Sequence, residues 1–204
     1  LVDCGFGVNL PGFQPSGGTI ELLGATDALL YHQAGDWFQA VRVDKAPAAR
    51  AETGPLTGYD REGNPTRMIR TGNLTLPSAC QIKAGLNIAS ANTVSLDGHL
   101  SCTGTQANYV ANGTLDLNDY TFISAGNLYI QSGGILACDA GCEVQIANAK
   151  AIYVQSGGRL QSIGDAANAI FDVYISGHYG LQVLSGGTIA AAHTTFKRLS
   201  GSGL

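Results

Sequence analysis

Charge is scarce in this chain. Of its 204 residues only 13% are Asp, Glu, Lys or Arg, about half the share usual in a globular domain. That scarcity argues against helices, whose water-facing sides are normally written in Glu, Lys, Arg and Gln. A formal net charge of −4 at pH 7 supplies no basic surface for nucleic acid or an anionic membrane. No apolar run reaches the length of about 18 residues that a membrane helix needs. The catalytic signatures G-x-S-x-G and H-E-x-x-H are missing, as is a Walker loop. There is no CxxC pair, and His32, His99, His178 and His193 show no ligand spacing, which argues against zinc and haem. Proline disappears after Pro77. The start, "LVDCG", has no basic segment followed by an apolar core, so the chain reads as a mature or excised segment. Asp3 is not the small residue that lipidation at Cys4 requires.

What is abundant is glycine, 28 residues, roughly double its ordinary usage. The charges that exist are unevenly spread. Ten of the 26 fall between Val41 and Arg70, together with Pro47, Pro55 and Pro65. Residues 46–70 therefore read as an exposed, irregular connection. Ahead of it, residues 1–45 carry short strand patterns, such as the period-two alternation of "DWFQAVRV", and predict a small β unit or cap.

From Thr71 onward the text changes. Short β-branched or aromatic stretches ("LNIAS", "TVSLDGHLSC", "YTFIS", "EVQIA", "FDVYIS") alternate with Gly, Asn, Asp or Ser, as strands between tight turns do. One stretch is written three times: "YIQSGGIL" from Tyr129, "YVQSGGRL" from Tyr153 and "LQVLSGGTI" from Leu181. Aligned on the second glycine, the copies fall at Gly134, Gly158 and Gly187, with looser versions around Gly98 and Gly113. A self-similar unit of 20–30 residues suits one coil of a β-solenoid, in which each inward residue stacks on its equivalent about 4.8 Å away. The fold expected for 71–204 is therefore all-β, a parallel β-solenoid. An antiparallel β-sandwich is the competing arrangement, but it has no need of self-similarity.

The pattern apolar-x-apolar-x-Ser-Gly-Gly-x-apolar resembles secreted right-handed parallel β-helix proteins, such as pectate-lyase-like enzymes and bacterial passenger or adhesin domains. The resemblance covers residues 71–204 and lies in repeat style. It implies an extracellular or cell-surface location.

Five cysteines fit that location as oxidised pairs. Cys80 and Cys102, 22 apart, are close to one coil, and Cys138 and Cys142 close a local turn in "CDAGC". Cys4 is left over, either for an intermolecular bond or as an unpaired buried thiol. Asp97, Asp116 and Asp119 are the acids to test for catalysis: Asp97 and Asp119 are also 22 apart, a spacing that stacking converts to about 5 Å. Ca²⁺ is the one cofactor such a cluster would take, although Asp before Gly and "LNDY" are ordinary turn chemistry. Tyr129, Tyr153, Tyr174 and Phe196 form either a carbohydrate-binding stripe or internal aromatic ladders. "NLT" at Asn73 and "NGT" at Asn112 match the glycosylation sequon.

The expected role is structural: a surface adhesin or filament subunit that self-associates head to tail, with no catalytic residues and no metal centre. The alternatives are a polysaccharide lyase or glycoside hydrolase, and a non-catalytic glycan-binding module.

Overall fold

The computed structural model describes residues 6–8, 14–23, 28–32, 36–43, 57–59, 65–67, 74–76, 80–83, 85–89, 91, 93–163 and 167–201. Every element among them is a β-strand. All of the strands but β5 and β6 form three parallel sheets, which the chain visits in rotation. Sheet 1 contains, side by side, β1 (Phe6–Val8), β3 (Ala28–His32), β7 (Leu74–Leu76), β10 (Thr93–Leu96), β13 (Thr114–Asp116), β16 (Ile135–Cys138), β19 (Arg159–Ile163) and β22 (Thr188–Ala192). Sheet 2 runs β8 (Cys80–Ile82), β11 (Leu100–Cys102), β14 (Thr121–Ser124), β17 (Glu143–Ile146), β20 (Ala169–Val173) and β23 (Thr194–Phe196). Sheet 3 runs β2 (Thr19–Leu22), β4 (Ala40–Val43), β9 (Leu86–Ile88), β12 (Asn108–Val110), β15 (Leu128–Ile130), β18 (Ala151–Val154) and β21 (Gly180–Val183). One strand in each sheet makes a turn, and about five turns stack into a parallel β-solenoid.

Strict alternation explains the strands. In β14, β16 and β17 half-buried and fully buried side chains take turns, as expected where one face of a sheet lines a core. Register then carries like onto like. Val94, Leu115, Leu136, Leu160 and Ile189 stack inside sheet 1. Leu100, Phe122, Val144, Phe171 and Phe196 do so inside sheet 2. Val43, Ile88, Val110, Ile130, Val154 and Val183 do so inside sheet 3. Buried aliphatic area at roughly 25 cal/mol per Å² is the main stabilising contribution to such a core.

The described strands of the segment expected as a small β unit or cap, β1 to β4, join these sheets: β3 pairs with β7 and β4 with β9, both in parallel. Phe38 supplies a parallel bridge to Ile82 where a sheet 2 strand would lie. Within the charged connection the chain makes one antiparallel hairpin, β5 (Thr57–Tyr59) with β6 (Pro65–Arg67). The rest of residues 46–70 lies outside the described residues.

Candidate functional site

Chemistry on a solenoid must sit on a corner or on an outward column, because the interior is filled. Three corners join the sheets, and the three Ser-Gly-Gly copies all occupy the one leading from sheet 3 to sheet 1. Gly157 has φ +74°, a left-handed conformation that costs other L-residues about 1–2 kcal/mol. Gly158 lies so close to the Ile130 carbonyl of the preceding turn that a Cβ would overlap it. The Ser-Gly-Gly triplet is thus a bend followed by a close approach, and it repeats at Gly133–Gly134 and Gly186–Gly187. Asn112, at φ 58°, takes the first position in the turn before, Asn being the side chain best tolerated there. Gly98, aligned with this series by sequence, sits instead just after β10 at the corner from sheet 1 to sheet 2. Between the stacked triplets, Ile135, Arg159 and Thr188 a shallow notch of about 330 Å³ runs along the solenoid.

The three candidate acids lie at the corner from sheet 1 to sheet 2, where Asp97 and Asp116 each accept a hydrogen bond. The Tyr120 hydroxyl donates to Asp97 Oδ1 at 3.0 Å. That bond, with the nearby charges of Asp97 and Asp119, holds the Tyr120 phenol above its ordinary pKa. Asp116 Oδ1 accepts from the Asn118 amide at 3.3 Å. Neighbouring His99 accepts the Thr121 amide on Nδ1 at 3.0 Å and meets the Tyr120 ring edge-on at 5.9 Å. Among the described residues no group of three or more His, Cys, Asp or Glu is placed to hold a metal ion. His178 follows β20, with its amide on Asn148 Oδ1 at 3.1 Å, and His193 sits between β22 and β23 with φ 50°.

Cys138 and Cys142 form a disulfide with Cα atoms 5.8 Å apart, closing the next turn of the same corner. The backbone of Cys80 pairs with Leu100, and buried Cys102 pairs with Ile82. The Cys80 side chain, Cys4 and Asn73 lie outside the described residues.

The four aromatics singled out in the sequence go to three places. Phe196 stacks on Phe171 in the interior, with centroids 5.0 Å apart. Tyr174 is exposed beyond β20. Tyr129 and Tyr153 stand on the outward side of sheet 3, stacked at 4.8 Å, and Tyr109 extends the column at 5.3 Å. Tyr109 has a signal in the sequence: "NYVANG" is a version of "LYIQSGG" one residue shorter before the turn. On one side of this column lie Gly85, Ala107, Asn127, Ala151 and Gly180. On the other lie Ala89, Ala111, Gln131, Gln155 and Leu184. No member of the three columns from Gly85 to Leu184 is charged.

A buried polar pair joining sheet 3 to sheet 2 has no signature in the sequence. Asn108 Oδ1 accepts the Leu86 amide at 2.8 Å, its Nδ2 donates to Ser124 Oγ at 2.7 Å, and Ser124 Oγ donates to the Gly126 carbonyl at 2.9 Å. At the far end, Asp172 is bound by Arg198 at 2.6 Å. The guanidinium holds that carboxyl below its ordinary pKa against the opposing effect of burial. The same guanidinium donates to the carbonyls of Val173 and Ile175. Buried Tyr179 nearby has its phenol pushed up by desolvation.

Compared with protein-family models, curated proteins and solved structures, the chain matches none.

Proposed function

We propose that the chain is a structural segment of an extracellular or surface protein, an adhesive or filament-building solenoid in which no residue is catalytic. One observation carries this reading. Two of the three candidate acids are engaged in hydrogen bonds, Asp116 locally with the Asn118 amide and Asp97 with the Tyr120 hydroxyl of the next turn, while the inward ladders run in register from turn to turn. Such a molecule is a rod whose neighbouring coils support one another. End-to-end contact is part of the proposal. Val183 ends its inward ladder 42% exposed, whereas Val43 to Val154 in the same ladder are buried. A further coil, whether from this protein's own continuation or from a second copy, would cover it.

Light scattering and electron microscopy over a concentration series test this, with rods that lengthen as the expected result. The rival enzyme reading draws on the closeness of Asp97 and Asp119 to Tyr120. Turnover of a neutral or acidic polysaccharide, lost in Asp97→Asn with the fold intact, would overturn the structural assignment. The glycan-binding reading gains little from the tyrosine column. Sugars pack on aromatic faces, and here both faces of Tyr129 are covered by Tyr109 and Tyr153.

A further inference from the structure

The three outward faces of the solenoid differ in one respect. Sheet 1 presents Asp116 and Arg159, and sheet 2 presents Glu143 and Lys197, with Asp172 buried beneath Arg198. Sheet 3 presents no charge from Gly85 to Leu184. Earlier in that sheet Arg42 and Glu21 pair with each other at 3.0 Å, and Lys150 sits at the corner beside the face. What the face offers is a stacked tyrosine spine between glutamines, asparagines and small residues, most of them half-buried. Tyrosine enrichment and charge depletion are what protein interfaces show at their centres.

We infer that sheet 3 is a lateral interface at which a second copy of this chain packs face to face about a two-fold axis. Charge selects this occupant. A two-fold contact sets each patch against itself, so a charge near the axis meets its own sign. Of the three faces only this one carries no such charge. A flat parallel sheet also suits a flat partner, since facing sheets pack about 10 Å apart. The uncharged area is about 24 Å along the axis and roughly 16 Å across, from about 4.8 Å per turn and 3.3 Å per residue. That is about 400 Å² per copy, below the ~800 Å² per partner of a standard stable interface. The dimer is therefore weak and reversible. It is independent of end-to-end contact, because it stops at two copies and leaves both ends free.

Sedimentation velocity of the full chain from ~10 µM to ~1 mM, the range of weak association, tests it. Concentration-dependent side-by-side pairing is expected, as dimers of single chains or as paired rods where end-to-end contact also occurs. Tyr129→Lys, which sets two ammonium groups against each other across the axis, weakens it at least tenfold, or about 1.4 kcal/mol. Gln145→Lys, the same charge change on sheet 2, leaves it unchanged. Gln155→Lys repeats the test on sheet 3 should Tyr129→Lys fail to fold. The inference is overturned by a chain that stays monomeric to ~1 mM, or by equal weakening from sheet 2 and sheet 3 lysines. Tyrosine ring signals that respond to neutral oligosaccharides and not to protein concentration would also overturn it. Rods that lengthen in Tyr129→Lys as in the parent chain support the structural reading of the protein whatever happens to the dimer.

Discussion

Two corners of the same solenoid solve one problem by different means. Between sheet 3 and sheet 1 the solution is in the backbone. A left-handed residue makes the bend, a glycine allows the close approach, and the arrangement recurs at Gly133–Gly134, Gly157–Gly158 and Gly186–Gly187. Between sheet 1 and sheet 2 left-handed residues occur too, at Asn118 and Gly141, but the side-chain contacts that hold the corner change with each turn. Asp97 takes the Tyr120 hydroxyl, His99 takes the Thr121 amide, and one turn later the Cys138–Cys142 disulfide closes the loop. A backbone constraint admits few residue types, whereas a hydrogen bond or crosslink can be built in many ways. The first corner is therefore repetitive and the second is not.

Substitutions at the two corners sharpen that contrast. The largest loss is expected from Gly158→Ala, because the added methyl meets the Ile130 carbonyl and the coils must part. A cost of about 3 kcal/mol or more, measured by chemical denaturation, fits that reading; a loss below about 1 kcal/mol would sink it. Next comes the Cys138→Ser/Cys142→Ser double variant. Closing so short a loop removes little unfolded-chain entropy, so about 2 kcal/mol is expected, and a reducing agent added to the parent chain should reproduce the shift. Gly157→Ala follows, at about 1–2 kcal/mol for its positive φ. Gly157→Asn should cost clearly less, since Asn112 already serves at that position. Should Ala and Asn prove equal there, the bend would not be what the residue is for.

Smaller still is the Arg198 clamp, where the effect depends on pH. The Asp172 carboxyl is held below its ordinary value of 3.8, so the folded chain binds this proton less readily than the unfolded one. The clamp's stabilisation is then complete above about pH 4 and drains away as pH falls through the lowered folded value. Denaturation curves of the parent and Asp172→Asn should differ at pH 7 and converge in acid. Divergence on acidification would contradict the sign. Tyr120→Phe, at an exposed hydrogen bond of the variable corner, should leave the unfolding midpoint within measurement error.

The same contrast explains which parts of the molecule are legible in its amino-acid sequence. Strands, parallel stacking and the turn at Cys138–Cys142 are legible, because alternation and repeated glycine leave a period in the text. The acids near Asp97 are legible as neighbours but not as a site, because their meaning depends on which hydroxyl or amide faces each carboxylate. Residue type alone groups Tyr174 and Phe196 with Tyr129, and one residue of phase separates an outward column from the core. The parallel joining of β3 to β7 and β4 to β9 is hidden by the charged stretch between them. Nothing in "APAARAETGP" announces that the chain returns to the sheets it left.

One consequence of the ladders concerns force. In each sheet the strands lie across the rod, and the hydrogen bonds between turns lie along it. A load that draws the two ends of the chain apart therefore falls on one turn at a time at the rod's tip, and the molecule should peel in steps. A load spread across the outward face of a sheet meets all the turns together. As a load-bearing part, the chain would be strong when gripped along its flank and weak when pulled by its tails.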